Sequence, residues 1–298
     1  MQPNLVNTLY DTDYAKAYNE RYLTNPYSAV SMEVELATLR RVLHRDSRWL
    51  DLGCGTGFFL SRFPDIQRAG LDISPEMLKV ASHANPGALF FREGDFRMDV
   101  PEWKMAWSVV SCMWAAYSYV DSIKEVEQVI SNMINWCKPG GAIFIPVVDL
   151  EDVRPNQQLS YKEATGVFGG AIYLTGVTWT WVEEAGEKVH THLVAPHVEH
   201  FVELLKSAFD NIEIIRYPPY QAGWVSRKAV LATGRRHQAD PLDPAKVVWQ
   251  PIPPPVTGSA NSSSPLAFLT YRQLLGELFR RIRSGSIFTS LRRKLFGG

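Results

Sequence analysis

Cysteine is scarce in this chain of 298 residues: only Cys54, Cys112 and Cys137 occur. No two have C-x-x-C spacing, which excludes a disulfide framework and argues against a structural zinc site. The expected compartment is a reducing one, the cytoplasm. Net charge is missing as well. Lys and Arg number 31, and so do Asp and Glu; no global basic field marks nucleic acid as a partner. No apolar run reaches the roughly 18 residues that a bilayer-spanning helix needs. Residues 1–4, Met-Gln-Pro-Asn, lack the basic-then-apolar layout of a secretory signal. Internal repeats are absent too. What remains is an ordinary globular composition, 46% hydrophobic and 21% charged, with room for one α/β domain and an appendage.

From residue 48 short apolar runs alternate with helical ones. Strands are expected at 48–52, 67–73, 88–91, 107–114 and 142–148, with helices at 57–63, 75–85 and 121–137. Ser74 and Pro75 cap the second of these helices, and Lys138-Pro-Gly-Gly141 closes the third. Such alternation implies a doubly wound, Rossmann-like parallel sheet with helices on both faces. Later come an irregular stretch at 150–170, a hairpin pairing 171–182 with 188–194, a helix at 197–209, and strands at 211–216 and 228–233. Ahead of the sheet, Tyr10, Tyr14, Tyr18 and Tyr22 recur every fourth residue, placing four phenols on one helical stripe. A second helix, near 32–44, offers Val34, Leu36, Ala37, Leu39, Arg40, Val42 and Leu43 as its buried face.

Three strand ends carry chemistry in order. Strand 1 runs into Asp51-Leu-Gly53-Cys54-Gly55-Thr-Gly57, a turn that lets the backbone approach a ligand closely and aims helix N–H groups at an anion. The spacing is G-x-G-x-G, with Phe58 where a dinucleotide fold wants its third glycine, which disfavours a nicotinamide oxidoreductase. Asp72 ends strand 2 nineteen residues after Gly53, where a carboxylate can accept from both hydroxyls of a ribose. Asp95, in Glu93-Gly94-Asp95-Phe96, ends strand 3.

This series, together with Leu71-Asp-Ile-Ser-Pro-Glu-Met-Leu78 and Lys138-Pro-Gly-Gly141, resembles the motifs of the class I S-adenosylmethionine (SAM)-dependent methyltransferases over residues 10–234. The resemblance implies a seven-stranded sheet whose last strand is antiparallel. It implies SAM as cofactor, with Asp51, Gly53, Cys54, Gly55 and Gly57 near its methionine portion. Asp72 would hold the ribose, and Ile73 and Met77 would flank adenine. Asp95 would read the adenine amino group and Tyr18 would cover the cofactor, with Gly94, Phe96 and Met113 also among the cofactor-binding residues.

Within the family the chain is most similar to small-molecule N-methyltransferases of amino-sugar type, through Trp107-Ser-Val-Val-Ser-Cys-Met-Trp114 and the aromatic run to Tyr119. The implied acceptor is a nitrogen or oxygen of a small molecule, a sugar or glycan intermediate first among them. Tyr119 stands where that group carries a loop histidine, and His197 is the other candidate base. Neither need be decisive: alignment of the reactants can supply up to ~7–11 kcal/mol, a general base about 3–5 kcal/mol. His190 with His192, and His197 with His200, have spacings that could suit a metal, but no acidic ligand lies on the same faces and no metal is expected. Asn25-Pro26-Tyr27 and Tyr217-Pro-Pro-Tyr220 lie away from strand 4, so a nucleic-acid base is not the expected acceptor.

The domain organisation expected is a methyltransferase domain at 1–234, with lid helices at 1–47 and a substrate cap at about 150–196. A Pro/Ser-rich linker follows at 235–265, then a basic amphipathic helical tail at 266–298. Tyr271, Leu274, Leu275, Leu278, Phe279 and Ile282 share one face of that tail, and its arginines point to peripheral contact with an anionic inner membrane surface. The competing reading is a catalytically silent SAM-binding module acting through the tail. An intact Asp51, Asp72 and Asp95 set argues against it.

Overall fold

A computed structural model describes residues 9–24, 28–149, 162–165, 170–173, 176–182, 188–218 and 228–237. The linker from residue 238 onward, the tail at 266–298 and most of the 150–170 excursion lie outside these residues.

Seven strands form the sheet: β1 (Arg48–Leu52), β2 (Gln67–Asp72), β3 (Phe90–Glu93), β4 (Trp107–Ser111), β5 (Cys137–Val147), β10 (Phe209–Arg216) and β11 (Lys228–Arg235). Their order across the sheet is β10-β11-β5-β4-β1-β2-β3. Five are parallel, while β11 runs antiparallel to both β5 and β10. Two antiparallel pairs stand apart from it: β6 (Lys162–Thr165) with β7 (Gly170–Tyr173), and β8 (Gly176–Val182) with β9 (Val189–Pro196). The hairpin expected at 171–182 with 188–194 is therefore present from Gly176 onward. Residues 171–173 pair instead with β6.

Side chains on successive residues of the central strands enter two different cores. Leu50, Leu52, Ile143, Ile145, Val230 and Ala232 pack with the helices Ile123–Trp136 and Val198–Leu205. Trp49, Ala142, Phe144, Ala229 and Leu231 pack with the helix Ala29–Val42 on the other face. Burial on both faces is why these strands read as continuous apolar runs rather than alternating ones.

Several boundaries move for identifiable reasons. Strand 3 begins at Phe90, because its parallel register sets Phe90 to Glu93 against Ala69 to Asp72. Strand 4 stops at Ser111, because Trp114 and Ala115 both adopt left-handed backbone, φ 53° each, which no strand can continue. The Lys138-Pro-Gly-Gly141 segment belongs to the start of β5, where pairing with β4 shifts between Trp107 and Val109. Gly141 is required there, since a Cβ would lie 2.6 Å from the Ser108 carbonyl oxygen. In the helix Ala29–Val42 the buried face is Ser31, Met32, Glu35, Thr38 and Leu39. Ala37 and Arg40, expected inside, are exposed. Leu39 and Leu43 are buried as expected, and Val34, Leu36 and Val42 are half-buried against the same cluster. The inner face also takes in the Glu35 carboxyl and the Ser31 and Thr38 hydroxyls, which hydropathy assigns to solvent.

At the end of β5, Asp149 is fully buried and forms an ion pair with the ammonium of Lys228, the first residue of β11. Removing one member of such a pair leaves an uncompensated charge in a low-dielectric interior. Asp149→Ala should therefore lower unfolding free energy by about 3–5 kcal/mol, read as a fall in the urea midpoint at unchanged slope. Replacing both residues, Asp149→Leu with Lys228→Met, should recover most of the loss. A single-variant loss below about 1 kcal/mol is the range of solvent-exposed pairs and would mean this pair is hydrated in solution.

Candidate functional site

The crevice opens at the carboxyl ends of β1, β2, β3 and β4, the position where open parallel sheets bind ligands. Its floor is the turn after β1. Gly53 has φ +62°, and a Cβ there would stand 2.4 Å from the Cβ of Ala116. The loop after β4 thus sits directly on the glycine turn, and only glycine allows both the backbone conformation and the approach. Gly55 and Gly57 are likewise left-handed, at φ +52° and +66°. Gly57 caps the short helix Phe58–Ser61 and stays outside the crevice lining.

Asp72, at the end of β2, lines the crevice. Its Oδ2 accepts the Gly55 amide at 2.7 Å and its Oδ1 the Ser74 amide at 2.8 Å. Burial raises its pKa, opposed by these amide bonds. Ser74 caps the helix Pro75–Ala84 as the sequence predicts, its hydroxyl accepting from the Met77 amide. Ile73 and Met77, on either side of that cap, both line the crevice.

Asp51 lies deeper. It is 1% exposed and outside the lining, and its Oδ1 accepts the Ser111 hydroxyl at 2.6 Å. Burial pushes its carboxyl up to about 7, against the Ser111 and Met113 hydrogen bonds and with Asp72 adding repulsion. A second carboxyl, missed by hydropathy, adjoins it: Glu35 is raised to about 8, chiefly by burial, although the Tyr217 hydroxyl donates to it at 3.2 Å.

Asp95, with Gly94 and Phe96, lines the crevice at the end of β3, but its oxygens are already engaged. The Arg97 guanidinium binds them bidentately, Nε at 2.9–3.0 Å and Nη2 at 2.6 Å, and the Arg97 amide adds a bond at 2.9 Å. Burial disfavours the charged form, yet the Arg97 bonds outweigh it and hold Asp95 below the usual carboxylate range. Arg97 also reaches Glu125 at 3.0 Å. An adenine amino group at Asp95 would have to share the carboxylate with Arg97, a residue adjacent in sequence that the motif reading passed over.

The other wall is aromatic. The helix Thr12–Tyr18 continues into a π-helical turn, Asn19–Leu23. Tyr14, Tyr18 and Tyr22 lie on it and Tyr10 just ahead of its N-cap Asp11, and the four rings form one edge-on and tilted series with neighbouring centroids 5.1–6.0 Å apart. All four line the crevice, as do Met113, Trp114, Tyr119, Val148, Trp179 and Leu193. A smaller cavity beside the glycine turn is lined by Cys54, Thr56, Tyr18, Met113 and Trp114 among others. The Trp114 indole N–H is buried without a hydrogen-bond partner among the described residues.

His197 takes no place in the lining. It is 6% exposed and caps the helix Val198–Leu205, its Nδ1 accepting the Glu199 amide at 3.1 Å. His200 is 3.1 Å from Glu127. His190 and His192, expected on one strand face, are parted by a bulge. Pairing of β8 with β9 shifts between Trp179 and Trp181, His192 has φ 59°, and His190 is buried while His192 is exposed. Among the described residues no three His, Cys, Asp or Glu side chains gather as a metal site, and no helix is long and apolar enough to cross a membrane.

Asp51 and Glu35 favour the folded state in their protonated forms, since their folded pKa values exceed the unfolded ones. The stability each contributes is complete below about pH 4 and is lost as pH rises to about 7 and 8 respectively. Asp51→Asn, which keeps the Ser111 hydroxyl bond, should therefore gain stability relative to the parent by about 2 kcal/mol more at pH 8 than at pH 5. Urea unfolding of both proteins at the two pH values measures this. An equal difference at both would mean Asp51 ionises normally.

Residues 50–141 match the methyltransferase domain family. A demethylmenaquinone methyltransferase of Chlorobaculum parvum is 27% identical over 173 residues, covering 55% of this chain and 66% of that protein. A dTDP-3-amino-3,6-dideoxy-alpha-D-glucopyranose N,N-dimethyltransferase of Streptomyces fradiae is 26% identical over 161 residues, 52% of this chain and 60% of that one. The chain thus spans about two thirds or less of the length of these curated relatives. Among solved structures, DesVI of Streptomyces venezuelae superposes with a TM-score of 0.52 at 20% identity, over 75% of this chain and 99% of that one, a likeness of fold. Residues 50–141 thus carry a methyltransferase domain, and the strand order and glycine turn around them are those implied by the resemblance to class I S-adenosylmethionine-dependent methyltransferases.

Proposed function

We propose that the chain uses SAM to methylate a nitrogen or oxygen of a small molecule, with an amino sugar or related glycan intermediate as the leading acceptor class. The observation that carries this is the continuity of one crevice, from Asp72 and the glycine turn to the aromatic wall of Tyr10, Tyr119 and Trp179. The residues present fit SAM. Asp72 faces the crevice from a strand end, where a ribose diol can donate to it. The buried Trp114 N–H offers a donor, and the tyrosine rings that line the crevice suit a cation such as a sulfonium. When bound, SAM supplies an electrophilic methyl: the acceptor lone pair forms the new bond, and the electrons of the carbon–sulfur bond pass to sulfur. The protein's part is to align the two reactants and exclude water.

An amino-sugar acceptor is supported by the named substrate of the Streptomyces fradiae relative. A second reading, a flat phenolic or quinol-like acceptor, is favoured by the apolar and aromatic lining, in which Trp114, Val148, Trp179 and Leu193 join the tyrosines. Release of S-adenosylhomocysteine across a panel of amino sugars, hydroxylated sugars and phenols decides between them. Turnover by the amino sugars alone supports the first, and turnover by phenols alone replaces it with the second. Asp72→Ala should weaken SAM by about 1.5–3 kcal/mol, the range for hydrogen bonds to a charged group, measured by calorimetry. Unchanged affinity would place the ribose elsewhere.

A further inference from the structure

Tyr119 ends the segment after β4, and its ring lines the crevice. Its hydroxyl oxygen lies 3.0 Å from Nδ1 of His190, with the two rings at 78° to one another. His190 is fully buried and comes from β9 of the separate hairpin, seventy-one residues later in the chain. Tyr10 adds a third ring, with its centroid 5.9 Å from Tyr119 and 6.4 Å from His190. Three segments remote in sequence thus meet here, with the Tyr119–His190 hydrogen bond at the centre and the Tyr10 ring against both. Packing alone does not ask for it, since phenylalanine and leucine would fill the same space without burying an imidazole. The bulge at His192 makes the arrangement possible: it turns both His190 and Leu193 inward, three residues apart on one strand.

We infer that Tyr119 and His190 form the proton-accepting pair for the methyl acceptor, with Tyr119 as the catalytic residue that touches it and His190 as the positioning residue behind it. This rests on the reading of the crevice as a methyltransferase site. The acceptor loses one proton from its N–H or O–H to the Tyr119 oxygen. Tyr119 passes its own proton to Nδ1 of His190, which becomes an imidazolium and later returns the proton to solvent. Tyr119 is neutral at the start and the end, so the imidazole gains what the acceptor loses. The relay requires His190 to begin with Nδ1 bare, the tautomer in which the tyrosine hydroxyl donates. Imidazole is the better reservoir, because its unperturbed pKa of about 6.5 lies near neutrality and that of a phenol, about 10, does not. The pair suits an acceptor that arrives carrying a dissociable proton, a hydroxyl or an amine.

The groups that face the pair bear on its pH dependence. Tyr10, Tyr14 and Tyr18 approach from the N-terminal helix. Lys188, just before β9, holds its ammonium 4.3 Å from the Tyr14 ring and 2.9 Å from Asp11. Asp72, and Asp95 clamped by Arg97, lie along the same crevice.

The test uses the full chain with an acceptor identified by S-adenosylhomocysteine release. Tyr119→Phe should lower kcat by roughly 10²–10⁴-fold, the usual share of a general base, while SAM affinity by calorimetry stays within about twofold of the parent. His190→Gln should lower kcat less and remove the acidic limb of the kcat/KM pH profile. In the parent, that limb should coincide with the midpoint of the His190 ring titration followed by NMR, a readout that needs no turnover. Parental kcat and an unchanged pH profile in both variants would overturn the pair. Failure of the unsubstituted chain to bind SAM would instead remove the reading of the crevice itself.

Discussion

Asp72 accepts the amide of Gly55 from one side and that of Ser74 from the other. One carboxylate therefore ties the turn after β1 to the start of the helix after β2. The first of these amides belongs to a turn whose glycines hold left-handed backbone, and the second to an N-cap that orients Ile73 and Met77. Ala116 then rests on Gly53 with no room for a side chain between them, so the loop after β4 is positioned by the same turn. The crevice floor, its far wall and the approach to the acceptor side all refer back to this bracing.

The bracing brings carboxyls together out of water. Asp51 and Glu35 lie buried with Asp72 near Asp51, and burial raises all three from the ordinary carboxylate range. A cation placed in this neighbourhood gains from their ionisation, and an anion does not. Cofactor chemistry agrees with that sign, since SAM brings a sulfonium and an ammonium. Asp95 is the exception. Arg97 pairs with it within the lining and is itself shared with Glu125.

The aromatic wall is assembled from pieces with no common sequence signal. Tyr14, Tyr18 and Tyr22 come from the N-terminal helical segment with Tyr10 just ahead of it, Trp114 and Tyr119 from a left-handed pair of residues and the turn that follows, and Trp179 and Leu193 from the hairpin. Consecutive non-glycine residues at φ 53° are strained. They lie where the chain leaves β4 and enters the crevice, so the strain falls at the site rather than in the scaffold.

The sequence by itself determined the scaffold and the strand-end residues at one end of the crevice. Parallel strands buried on both faces announce themselves as apolar runs. Gly53, Gly55 and Gly57 mark backbone that other residues resist, and Asp72 and Asp95 sit at strand ends fixed by that periodicity. Such signals are local, each set by a few neighbouring residues. Tertiary structure alone decided the rest. Glu35 reads as a solvent residue on a helix and is buried. His197 reads as a base at a strand-to-helix junction and is spent as a cap. His190 reads as one of a pair with His192 until the bulge on β9 turns it alone toward Tyr119. Each of these depends on which surface an element turns inward, and for Glu35 and His190 on partners 182 and 71 residues away, and no local spacing encodes that.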